Sequence, residues 1–167
     1  MKDGFLKVAA ATPDIRVADA AYNTGRICGM IDEAVGAGAK IVVFPELCVT
    51  GYTCGDLFTQ DVLLDDARLA LHRIAEHTAG KDALVFAGVP IAVGGELYNV
   101  AAAFNRGKIL GFTTKTFLPN YGEFYEMRQF CPGPKTAREI LFDGEMIPFG
   151  PKLLFAASSI ESLVVSA

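Results

Sequence analysis

The sequence has no block of lysine or arginine, no cysteine pair spaced C-x-x-C and no apolar run long enough to cross a bilayer. Each absence removes a class of function. With a net charge of -4 and a pI of about 5.1, nucleic acid and anionic membrane surfaces are poor partners. A spanning helix needs about 20 consecutive apolar residues, so no membrane segment is expected. The opening Met1-Lys2-Asp3-Gly4-Phe5 sets one basic residue beside an acid and leads into no long apolar stretch, so it does not read as a signal peptide. Histidine is scarce. His72 and His77 are five positions apart, which on a helix leaves them about 140° out of alignment. They make no two-ligand metal face. Without a secretory signal, Cys28, Cys48, Cys54 and Cys131 read as free thiols in a reducing cytoplasm. No repeat, linker or low-complexity segment divides the 167 residues.

What is present is globular. Apolar residues make up 51% of the chain and charged residues 20%, enough for one domain with a real core. Leu6 to Thr12 reads as a short buried strand closed by Pro13. Val17 to Val35 carries Ile27, Met30, Ile31, Ala34 and Val35 at helical spacing, and Gly36 and Gly38 end it. Ile41-Val42-Val43-Phe44 is a β-branched run stopped by Pro45. Strand, helix and strand make a βαβ unit with parallel strands. A second helix is expected over Asp61 to Thr78, with Gly80 after it. Leu84 to Pro90, Leu97 to Phe104 and Ile109 to Thr114 then form a meander, with turns at Gly94-Gly95 and Asn105-Arg106-Gly107.

Residues 115 to 138 lack regular periodicity and contain Pro119, Pro132, Gly133 and Pro134. Loops of that length inside a compact domain are uncommon and usually functional. Ile140-Leu141-Phe142, Leu153-Leu154-Phe155 and Leu163-Val164-Val165 are short strand candidates. A domain rarely ends within a core-type strand, so the chain reads as a truncated or cleaved polypeptide.

Three places could carry chemistry. Glu46 follows Phe44-Pro45 just past the second strand, where α/β sheets collect their sites. It reads either as a buried base or as a solvated loop carboxylate, the commoner case on position alone. Lys115 ends the meander. A buried lysine needs a partner, and Glu46 would satisfy it; a surface lysine is the plainer alternative. Tyr121, Glu123, Phe124, Tyr125, Glu126, Arg128 and Phe130 form an aromatic and charged run suited to a small polar ligand, or to packing on a core. Cys48 and Cys54 flank Val49-Thr50-Gly51-Tyr52. Nothing near them supplies a base or oxyanion donors, so they read as structural thiols.

Taken together, these segments resemble one family. Phe44-Pro45-Glu46-Leu47, Thr50-Gly51-Tyr52 and Asp56-Leu57-Phe58 look like the first motif of nitrilase-superfamily amidohydrolases, in the form seen in the glutaminase domain of glutamine-dependent NAD synthetases. Leu97-Tyr98-Asn99-Val100-Ala101 is similar to the same family. So is the run Lys115-Thr116-Phe117-Leu118-Pro119-Asn120-Tyr121, with Glu123-Phe124-Tyr125-Glu126 and Arg128-Gln129-Phe130. Leu153-Leu154-Phe155-Ala156 also fits.

The resemblance implies an α/β fold, a nitrilase-like α-β-β-α sandwich that residues 1–167 would leave incomplete. It implies a catalytic glutamate, lysine and cysteine, of which Glu46 and Lys115 match the first two. The family's cysteine follows a strand corresponding to Leu163-Val164-Val165, and no cysteine of this chain matches it. Tyr52, Tyr121 and Glu126 are the candidates to hold L-glutamine. Ammonia would pass to a C-terminal synthetase domain, absent here, that uses ATP and magnesium to amidate deamido-NAD. This chain itself would need no cofactor or metal and is expected to be inactive alone. The full-length protein is expected to be a cytoplasmic homo-oligomer. The alternatives are a stand-alone nitrilase-like amidase for another small amide, and a non-catalytic binding or assembly module on a decayed amidase fold.

Overall fold

The computed structural model describes residues 5–157 and 164–166. Its first half is the expected βαβ unit: β1 (Val8–Ala10), α1 (Ala20–Gly36) and β2 (Ile41–Val43), with β1 and β2 parallel, although β1 is an edge strand with Val8 and Ala10 exposed and not the buried strand expected. The helix starts later than its apolar spacing suggests. Ala18 turns with φ 61°, and the Asp19 carboxylate then caps the first turn by accepting from the Tyr22 N–H at 3.0 Å. Helix α2 (Asp61–His77) follows a short 3-10 turn, Gly55–Thr59, that the periodicity did not reveal.

The meander is β3 (Leu84–Val93), β4 (Glu96–Asn105) and β5 (Lys108–Thr114), with β3 parallel to β2 and antiparallel to β4. Strand β3 runs past Pro90 to the Gly94-Gly95 turn, where both glycines have positive φ. Beyond the long loop come β6 (Arg138–Phe142), β7 (Glu145–Gly150), β8 (Leu154–Ala156) and β9 (Val164–Ser166). The main sheet has seven strands in the order β1-β2-β3-β4-β5-β7-β6, and β8 pairs with β9 in a separate antiparallel ribbon. Of the strand candidate at Leu163-Val164-Val165, Leu163 lies outside the described residues.

Strand β7 was not among the strands expected from the sequence. Pro148 interrupts its pattern, and proline is normally confined to strand edges. Here β7 pairs along its length with β6 but meets β5 only at Phe149 and Gly150, so Pro148 falls just before the β5 ladder. The hairpin signal was legible: Asp143-Gly144 turns the chain with φ 48° and 86°.

Alternation sorts the sheet into two faces. Val42, Val85, Val89, Val100, Phe104 and Phe112 join Ile27, Ile31, Leu71 and Ile74 of the helices in one buried cluster. Burying each such side chain contributes about 1.5–3 kcal/mol. The opposite face carries Phe86, Gly88, Ala101, Ala103 and Gly111, mostly small residues in register across β3, β4 and β5. Strand β8 approaches it: the Phe155 ring meets Phe86 edge-on at 5.5 Å, and a Cβ on Gly111 would lie 3.0 Å from Leu153 Cδ1.

Candidate active site

Glu46 lies on a tight turn directly after β2. The turn is held by Phe44 N–H to Phe86 O (2.9 Å), Gly51 N–H to Leu47 O (2.7 Å) and Val49 N–H to Gly88 O (3.2 Å). Leu47 takes φ 51°, an uncommon left-handed conformation for its type. The turn rests on bare backbone. A Cβ at Gly88 would come within 2.2 Å of Leu47 N and 2.6 Å of Pro45 O, so only glycine lets Glu46 approach the sheet this closely.

Lys115 is the first residue past β5. Its N–H donates to Asn99 O and its carbonyl accepts from Gly133 N–H, both at 2.9 Å. The long loop therefore leaves the sheet at Lys115 and returns beside it. The return is close-packed: a Cβ on Gly133 would lie 2.1 Å from Thr114 Oγ1.

The candidate side chains meet above the small-residue face. Lys115 Nζ donates to Glu46 Oε1 at 2.7 Å and to Glu126 Oε1 at 2.8 Å. Tyr52 OH donates to the same Glu126 oxygen at 2.7 Å. Glu126 opens a short 3-10 turn, Glu126–Arg128, inside the loop, and is only 5% exposed. Its Oε2 is buried with no hydrogen-bond partner among the described residues. Asn99 Nδ2, on β4, donates to Glu46 Oε1. Arg128 reaches across to Asp56 at 3.1 and 3.3 Å, tying the loop to the Gly55–Thr59 turn.

The electrostatics follow from this geometry. Burial alone would pull the Lys115 ammonium down, but its hydrogen bonds to Glu126 and Glu46 outweigh it and hold its pKa above the ordinary lysine value. Lys115 is thus a fixed positive charge. The Tyr52 phenol is pushed well up, first by burial and then by the Glu126 carboxylate beside it, so it stays a donor. Beside the cluster opens a groove of about 370 Å³ lined by Val43, Phe86, Ala101 and Thr113 along with Glu46 and Lys115. A carboxylate and a fixed ammonium facing such a groove can exchange a proton and stabilise a developing anion.

Tyr52, Glu126, Glu46 and Lys115, all singled out from the sequence, are brought together. Tyr121 is not: it is 72% exposed and packs edge-on against Phe124 at 5.8 Å. Phe117, two residues beyond Lys115, is 90% exposed and gives it no apolar cover. Asn99 went unassigned, although an asparagine inside an otherwise apolar strand is a signal, because strands disfavour it and burial demands a partner. Three of the four cysteines are thiols that burial shifts upward. Burial pushes the Cys48 thiol up to about 12 and its Sγ faces Gly88 O at 3.7 Å. Cys54 is raised by burial and bonds Thr50 O at 3.1 Å, and Cys28 is raised by burial too. His72 and His77 pair separately with Asp143 and Asp32.

Comparison with known proteins points the same way. Residues 7–154 match the carbon-nitrogen hydrolase family model. The glutamine-dependent NAD(+) synthetase of Mycobacterium tuberculosis is 37% identical over 162 residues, which is 97% of this chain and 24% of that protein. That of Aquifex aeolicus is 37% identical over 129 residues. The chain therefore spans about a quarter of the length of these curated relatives. Among solved structures, a glutamine-dependent NAD(+) synthetase from Cytophaga hutchinsonii superposes with a TM-score of 0.85 at 31% identity, covering 92% of this chain and 26% of that one. A mutant Nesterenkonia amidase from the nitrilase superfamily superposes at 0.68 with 22% identity, over 86% of this chain and 54% of its own, a likeness of fold alone. With a nitrilase-like α/β fold and a family match over most of its length, this chain belongs to the carbon-nitrogen hydrolase family.

Proposed function

We propose that this chain supplies the base and the cation of a glutamine-hydrolysing site, and that the ammonia released serves the ATP-dependent amidation of deamido-NAD. The observation that carries the reading is Lys115 Nζ held between Glu46 and Glu126 at 2.7 and 2.8 Å on the rim of an open groove. Its relatives are glutamine-dependent NAD(+) synthetases. The nucleophile in this reading is a cysteine thiol outside these 167 residues.

Glu46 takes the thiol proton, and the thiolate attacks the side-chain amide carbon of glutamine. Negative charge develops on the amide oxygen, and Lys115 faces it as a fixed charge. Glu46 then gives its proton to the departing nitrogen, ammonia leaves, and a glutamyl thioester remains. Water, deprotonated by Glu46, cleaves the thioester to glutamate and regenerates the thiol. Glu126 holds the Lys115 ammonium in place, and Tyr52 in turn holds Glu126. ATP and magnesium act in the synthetase part of the full-length protein, a cytoplasmic homo-oligomer in this reading.

The test is Lys115→Ala in the full-length protein. Glutamine-driven NAD synthesis should fall by about 10²–10³-fold, the usual cost of losing one oxyanion partner. Synthesis driven by free ammonium should persist, because only the nitrogen source is lost. Equal loss with both nitrogen donors would contradict the assignment.

A further inference from the structure

Glu46 has two carboxylate oxygens, and the site treats them differently. Oε1 accepts from both Asn99 Nδ2 and Lys115 Nζ. Those two donors use both of its lone pairs. No donor among the described residues reaches Oε2, and the Glu46 side chain is 41% exposed. One oxygen is anchored and the other is open.

Asn99 is placed to create that asymmetry. It lies on β4 between β3 and β5, opposite Pro90, and is 4% exposed. Its backbone carbonyl receives the Lys115 N–H at 2.9 Å while its side chain holds Glu46. One strand residue thus fixes both functional groups relative to each other. The orientation of its carboxamide follows from charge. Turned over, its Oδ1 would face a carboxylate oxygen, and two acceptors would oppose each other. An isolated asparagine in a strand interior weakens the strand, so the cost is matched by a bond that the strand itself does not need.

We propose that Asn99 is a positioning residue. It dedicates Glu46 Oε1 to fixed donors and leaves Oε2 as the single oxygen that exchanges the proton of the reaction. This rests on the amidase reading above. The thiol proton would reside on Oε2 and leave from the same atom to ammonia. Loss of Asn99 frees the carboxylate to rotate about its last bond, so that either oxygen can present itself and neither is held in line. Small misplacements of this kind cost about 10²-fold in rate.

The experiment uses the full-length protein, steady-state release of glutamate from L-glutamine and thermal unfolding of each variant. Asn99→Leu removes the donor. Asn99→Asp keeps the shape but sets an acceptor against Glu46. Both should lower kcat by about 10²-fold with KM for glutamine unchanged and the unfolding midpoint close to wild type. Asn99→Asp should also move the acid limb of the pH profile to higher pH, because a second carboxylate favours sharing a proton. Asn99→Gln, which can still donate, should recover part of kcat. Wild-type kcat in Asn99→Leu and Asn99→Asp would overturn the proposal. So would a loss of kcat that tracks a lowered midpoint with an unmoved pH profile, since that is what a purely structural residue gives. A wild-type protein that hydrolyses neither glutamine nor another small amide overturns the amidase reading itself, and this inference with it.

Discussion

The two faces of the seven-stranded sheet are built from different residues for different ends. The helix-covered face presents valine and phenylalanine, Val42, Val85, Val89, Phe104 and Phe112, with almost no surface left to water. The opposite face presents Gly88, Ala101, Ala103 and Gly111. Large side chains hold the layers together by burial. Small ones let other backbone come close: the Glu46 turn over Gly88 and the Leu153–Phe155 segment over Gly111. The buried core therefore lies mainly on one face and the candidate site on the other, and substitutions on the two faces should separate stability from turnover.

The largest effect is expected on the small-residue face. Gly88→Ala places a methyl where Leu47 N, Pro45 O and the Glu46 carbonyl carbon already lie, all within 2.7 Å. The turn must lift, carrying Glu46 away from Lys115 and Asn99. Glutamine hydrolysis by the full-length protein should fall by at least about 10²-fold, with an overpacking cost of about 1–3 kcal/mol in denaturant unfolding. Retained hydrolysis would mean that Glu46 does not need its seat on the sheet.

On the helix face the expectation is reversed. Phe104→Ala empties a fully buried site and should cost about 3–5 kcal/mol in unfolding free energy. Turnover measured well below the new midpoint should stay near wild type. A smaller stability loss with a collapse in kcat would break the division between the faces.

The pairing of Lys115 has a pH signature. Its pKa is raised in the folded chain by Glu126 and Glu46 against the opposing effect of burial. The folded state therefore binds that proton more tightly than the unfolded state. The stabilisation is fully present below the ordinary lysine value of about 10.4 and is lost as pH rises through the raised folded value. Wild type and Lys115→Met, compared by urea unfolding, should differ at neutral pH and converge in strong alkali.

The smallest effect belongs to the exposed tie between Arg128 and Asp56. Arg128→Ala should change stability by less than about 1 kcal/mol. A larger change would make the loop, and not the sheet, the main support of Glu126.

Much of this division was legible in the sequence. The βαβ unit, the second helix and the meander followed from apolar spacing and from Gly94-Gly95, because local pattern and tertiary burial agree there. Glu46 and Lys115 stood out because each sits just past a strand. Their meeting depends on strand order, which pairs Asn99 on β4 with Lys115 beyond β5 and lays the β2 turn over β3. Strand β7 was obscured by Pro148, whose effect depends on which ladder it faces. Tyr121 and Glu126 are five positions apart in one aromatic run. Nothing in that run says that Glu126 turns inward while Tyr121 faces water.

The central claim is that the small-residue face contributes a base and a cation to a thiol that none of the cysteines of this chain provides. A diazoketone analogue of glutamine, which alkylates an activated nucleophile in a glutamine site, tests it when the labelled peptide of the full-length protein is mapped by mass. The adduct should fall on a cysteine other than Cys28, Cys48, Cys54 and Cys131, and labelling should be strongly slowed in Glu46→Gln. An adduct on Cys48 or Cys54, or equal labelling of wild type and Glu46→Gln, would contradict the account.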